Sequence, residues 1–185
     1  SVQSVRCVSS MPSAPFTIPG EFDRVVREQS PDFGIAVSAP KPQLHIGRDR
    51  LALSVKSTRE GYVYVLVLGP DGSLARLIPN ANAKDNRIAA GQTLVLPPPS
   101  SPFDASDPPG REDFLVVVSA VPRTHDNLGG KEQDGILNLP VGSRLADLAA
   151  STPSPNSILA GAPLSCRGDD CKAYGAARLS IDVVR

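Results

Sequence analysis

The stretch "GYVYVLVLG", residues 61–69, limits the fold more than any other part of the chain. Read with period two, Tyr62, Tyr64, Leu66 and Leu68 fall on one face, and Val63, Val65 and Val67 on the other. A strand that is apolar on both faces must be covered on both, so it belongs in the middle of a sheet. "GPDG" follows, with proline presetting φ and glycine supplying a positive φ, and "SLARLIP" returns as a partner strand that Pro79 ends. A central β-hairpin is therefore expected over residues 61–79.

The rest of the chain reads as short strands and turns. "FGIAVSA", "PQLHIG", "GQTLVLP" and the strongly apolar "REDFLVVVSAVP" are expected strands. "DRLALSVKST" turns Leu51, Leu53 and Val55 to one side, and "YGAARLSIDVVR" alternates Ala177, Leu179, Ile181 and Val183 with Arg178, Ser180 and Asp182. One short helix is expected from about Glu21 to Gln29, with Phe22, Val25 and Val26 on its apolar face and Pro31 ending it. A second is expected over "VGSRLADLAAS", with Ser143 as its cap and Leu145 and Leu148 facing inward. "THDNLGGKEQDG" and "TPSPNSILAGAPLS" read as loops, the former on the surface. The fold class is mainly β, an antiparallel β-sandwich of immunoglobulin-like kind with one or two short helices. Residues 1–19 read as a linker or edge segment, and 20–185 as a single domain.

Composition narrows what such a domain does. With aromatics at 4% and no tryptophan, Val, Leu, Ile and Ala must fill the core. Nineteen Lys and Arg balance nineteen Asp and Glu, so no net field draws nucleic acid or anionic lipid. No apolar run reaches the length of a membrane span, so no membrane insertion is expected of this segment. Ser1 stands where an initiator Met would, and the chain is read as a piece of a longer protein in preference to a processed product.

Three groups of residues invite chemistry. Asn80, Asn82, Asp85 and Asn86 crowd one loop, but a single carboxylate without the EF-hand glycine and bidentate Glu is poor for a hard cation. Asx-turns account for the cluster, and contact with a ligand or partner is the alternative; Arg87 beside it is a natural interface anchor. "CRGDDC" places Cys166 and Cys171 at a spacing that suits a disulfide across a tight loop, which implies an oxidising compartment and leaves Cys7 unpaired. A zinc site would need ligands that only Cys7, His45 and His125 remain to give, and no metal or other cofactor is expected. His125 with Asp126 could serve a hydrolase, but no nucleophile elbow or phosphate loop accompanies them, and "RTHDN" reads as a solvated loop. No catalytic residues are assigned.

Taken in order, "RLALSVKSTREGYVYVLVLGPDGSLARLIPN", "DNRI", "LVLP", "PPGREDFLVVVSA" and the final "YGAARLSIDVV" resemble a bacterial domain family of unknown function. The resemblance covers about residues 44–123 and 174–184, and its members occur at the C-terminal ends of Ser/Thr protein kinases, caspase-like peptidases and proteins encoded with type VI secretion systems. It implies a β-sandwich module with no established chemistry. Pro79, Asn80, Asp85, Asn86, Arg87 and Ile88 match its pattern at the loop, and the stretch at about 122–165 is an insertion particular to this chain. The resulting expectation is a non-catalytic, extracytoplasmic and periplasmic recognition or sensor module at the C-terminal end of an envelope protein, in its most specific form a transmembrane Ser/Thr kinase. Its partner is expected to be a protein, with a cell-wall glycan second. A structural or accessory part of a type VI secretion system is the alternative, and the His125–Asp126 hydrolase comes third.

Overall fold

Strand alternation and turn chemistry build the molecule around one large sheet. The computed structural model describes residues 15–152 and 156–185. The elements run α1 (Ile18–Arg27), β1 (Ile35–Ser38), β2 (Gln43–His45), β3 (Leu53–Ser57), β4 (Gly61–Leu68), β5 (Leu74–Ile78), β6 (Arg87–Ile88) and β7 (Thr93–Leu96). They continue with β8 (Gly110–Ser119), β9 (Arg123–Thr124), β10 (Lys131–Gln133), β11 (Ile136–Leu139), α2 (Gly142–Ser151), β12 (Ala162–Pro163) and β13 (Tyr174–Val184). Cys7 and most of the expected linker lie outside the described residues; of that segment, Thr17 caps α1 by accepting from the Gly20 N–H at 3.0 Å.

The large sheet has the order β10-β11-β5-β4-β8-β13-β2, with β6 also pairing with β4; a three-stranded sheet has the order β1-β3-β7, and β9 pairs with β12. The strand apolar on both faces is central, as its pattern demands. Val63 and Val65 join Val55, Leu53, Leu96, Phe114, Val116, Ile181 and Val183 in a core shared between the two sheets. Tyr64 and Leu66 join Phe22 and Val25 of α1, Leu145 of α2, and Leu159 in a second core on the opposite face. Two layers of sheet are thus backed by a third layer of helices and loops. The mainly-β expectation with two helices holds. An immunoglobulin-like sandwich does not describe the helical layer, and β2 pairs with β13 in parallel, so the large sheet is mixed.

The expected hairpin closes through Gly69 N–H to Ser73 O at 2.8 Å, with Leu68 opposite Leu74. Helix α2 starts one residue before Ser143, and no side chain caps it. Three readings of the 122–165 stretch need correction. "THDNLGGKEQDG" is not a surface loop throughout: Asp134 and Gly135, with φ of 53° and 81°, turn a two-residue hairpin that sets Gln133 opposite Ile136. That is the Asp-Gly signal of a tight hairpin, obscured by the charged strand before it. "TPSPNSILAGAPLS" contains strand β12 and a 3-10 turn at Ile158–Ala160. His125 is fully buried where a solvated position was expected.

Candidate functional site

The loop after β5 divides the sequence candidates by direction. Asn80 turns inward: its Nδ2 donates to Leu77 O at 2.8 Å and Ser101 Oγ at 3.1 Å, while its Oδ1 accepts from Asn82 N–H at 2.8 Å. Backbone bonds in both directions with Ala83 complete a tight bridge. Asn86 is also buried, and its Nδ2 donates to Val63 O at 2.9 Å while Val63 N–H donates back to Asn86 O at 2.7 Å. Its side chain thereby serves the end of β4 as a neighbouring strand would, and places β6 alongside Gly61 and Tyr62. These two asparagines are structural.

Asn82, Asp85 and Arg87 point out of the protein. Asp85 Oδ1 accepts from Arg87 N–H at 3.2 Å, an Asx-turn that sets the direction of the arginine. The Arg87 guanidinium lies 5.9 Å from the Tyr62 ring centroid and borders an open cleft of ≈ 420 Å³. Glu60, Ile88, Gln92 and Ala120 complete most of its wall. At its base, Gly61 passes so near Ser119 that a Cβ would sit 2.4 Å from the carbonyl oxygen, so only glycine fits. Cation–π stacking holds a guanidinium without removing it from solvent, which leaves its donor edge available.

His125 occupies a different environment. Its ring meets Tyr64 edge-on, with centroids 5.9 Å apart, and its Nε2 donates to Leu159 O at 2.9 Å. Nδ1 is then the acceptor, facing Arg76 Nη1 at 3.5 Å. Burial drives its pKa down to about 4, with the nearby Arg76 and Arg123 adding to the shift, so the imidazole is neutral. A base must touch its substrate. With no exposed surface, His125 does not, and its partnership with Asp126 as a hydrolytic pair finds no support in this geometry.

The residues around His125 were missed in the sequence. Arg123 is buried; its N–H donates to the Tyr64 hydroxyl at 2.6 Å and its Nε to Ser119 Oγ at 2.7 Å. Tyr174 donates its hydroxyl to Val25 O at 2.7 Å, and burial pushes its pKa up to about 12. The available signal was a tyrosine in the middle of an apolar run, because a buried phenol needs a polar partner. Cys166 and Cys171 form a disulfide with Cα atoms 4.9 Å apart. Arg59 holds that turn by donating to Asp170 Oδ1 at 2.8 Å while stacking 4.4 Å above Phe33.

Among the described residues, no group of three or more His, Cys, Asp or Glu could hold a metal ion, and no helix is long and apolar enough to cross a membrane. The class so defined is a three-layered, β-rich domain with a shaped asparagine loop and an interior polar network. Residues 43–122 match the family described as "Domain of unknown function (DUF4384)". The match runs from β2 through β8 and includes the asparagine loop; it agrees with the resemblance read over residues 44–123 and does not extend to the part read over 174–184. No curated protein matches the chain.

Proposed function

We propose that this segment is a non-catalytic recognition module that acts outside the cytoplasm and uses Arg87 to hold a protein partner. The observation that carries the reading is the division of the loop. Asn80 and Asn86 are consumed by the fold, whereas Arg87 stands exposed on Tyr62 at the rim of an open cleft. Arginine stacked on tyrosine is the type of anchor that dominates interface energies. The Cys166–Cys171 disulfide favours an oxidising compartment, and for a bacterial protein that is the periplasm. A sensor segment of a transmembrane Ser/Thr kinase is the most specific form of this proposal. The test pairs a melting curve with capture from envelope extract. Arg87→Ala should melt within about 0.5 kcal/mol of wild type, as exposed charges usually do, yet lose its partner. Early melting with normal capture would remove Arg87 from the interface.

A further inference from the structure

A second site lies on the helical side of the sheet. Among the described residues, Arg123 is the one arginine that is buried, at 5% exposure. Arg24, Arg50, Arg59, Arg111, Arg178 and Arg185, all more exposed, each pair with a carboxylate. Arg123 has no described carboxylate in ion-pair range. Its Nη1 donates to Gly161 O at 2.8 Å and its Nη2 to Lys172 O at 3.1 Å, while its guanidinium carbon lies 5.2 Å from the Tyr174 ring centroid. Carbonyl oxygens satisfy N–H groups but leave the positive charge uncompensated, and a buried, unpaired charge is unfavourable. Each terminal nitrogen also carries a second N–H beyond the bond just named.

The guanidinium borders a cavity of ≈ 210 Å³, lined also by Lys172 and Asn127, with Ile158, Ala162 and Pro163 as apolar walls. Among the described residues, no acidic side chain lines it. Glu21 accepts from the Ser157 hydroxyl at 2.6 Å but is not part of the wall. We infer that this cavity binds a small carboxylate with a short apolar body, its carboxylate on Arg123 and its chain against Ile158, Ala162 and Pro163. The planar guanidinium matches a carboxylate in shape and charge, and a low-dielectric wall strengthens the pairing. The volume is below that of a drug-sized pocket, which confines the ligand to a few heavy atoms. A free short-chain acid and the C-terminus of a peptide present the same chemistry.

Arg123 clamps several segments, so the test places its variants around it. Butyrate, butyramide, inorganic phosphate and the dipeptide Ala-Ala are titrated into the folded protein and followed by amide chemical shifts. Butyrate should bind with a dissociation constant on the order of 1 mM, as ligand-efficiency limits allow for six heavy atoms, with shifts centred on Arg123 and Gly161. Butyramide should bind at least about tenfold more weakly, because it lacks the charge. Tighter binding of Ala-Ala than butyrate assigns the peptide source, and the reverse assigns the free acid. Ala162→Phe should abolish the shifts by filling the cavity, and Lys172→Glu, an exposed change that leaves the fold intact, should weaken butyrate several-fold. Equal response to butyrate and butyramide, a preference for phosphate, absence of saturable shifts, or undiminished binding by Lys172→Glu would each overturn the assignment.

Discussion

The two faces of the large sheet are built on different principles. The face toward β1, β3 and β7 is filled mainly with aliphatic side chains, joined by Phe33 and Phe114, with Val63, Val65, Val116 and Val118 among them. Polar groups enter it only at the margins, as with Ser57, whose hydroxyl donates to Arg59 O at 2.6 Å, and the two inward asparagines. The face toward α1 and α2 has Tyr64, Tyr174, His125, Arg123 and Ser119 in its interior, joined by hydrogen bonds. One face is held by area and shape. The other adds directional bonds between segments far apart in the chain, such as Tyr174 to Val25 and His125 to Leu159. The first tolerates no charge, while the second depends on one cation and one neutral imidazole staying as they are.

The contrast can be broken at the aliphatic face with the largest effect. Val65→Asp would set a carboxylate among packed valines with no partner, and should cost more than about 4 kcal/mol or prevent folding. A thermal midpoint close to wild type would mean that this face is not closed.

The polar face should reveal itself through pH. His125 has a folded pKa of about 4 against the ordinary value of 6.5, so the unfolded chain takes up the proton first on acidification. Its contribution is complete above pH 6.5 and is lost as pH falls toward 4, amounting to about 3 kcal/mol across that window. Denaturant titrations at a series of pH values should show this slope, and His125→Gln should flatten it. An unchanged slope in the variant would show that the neutral imidazole is not what couples this face to pH. The margin of the aliphatic face gives the smallest signal: Asn80→Ala should lower stability by about 1 kcal/mol, read as a shift in the denaturation midpoint. No shift would mean that the loop is held by its backbone bridge to Ala83 alone.

The same contrast explains what could be read from the residues. The aliphatic face announces itself by alternation, and the division of β4 into Tyr62, Tyr64, Leu66 and Leu68 against Val63, Val65 and Val67 is the division between the two cores. The polar face has no period. "RTHDN" is hydrophilic by composition, and nothing local says that Tyr64 and Leu159, from other parts of the chain, will enclose His125. Strand β10 is exposed throughout, so no apolar pattern marks it, and only the Asp134–Gly135 turn could have revealed its hairpin. At the loop, the residue types were legible but their directions were not. Asn80 and Asn86 differ from Asn82 through bonds to Leu77, Ser101 and Val63, which the spacing of asparagines does not encode.

Strand β13 lies between β8 and β2, paired with β8 from Tyr174 opposite Ser119 to Val183 opposite Gly110. During synthesis the chain emerges with both neighbours of this strand made and the strand itself absent. Until Tyr174–Val184 leaves the ribosome, β8 keeps one ladder edge open and β2 has no partner in the sheet. The large sheet is therefore completed by its last strand, which joins β8 across 55 residues at Tyr174–Ser119 and 73 residues at Val183–Gly110.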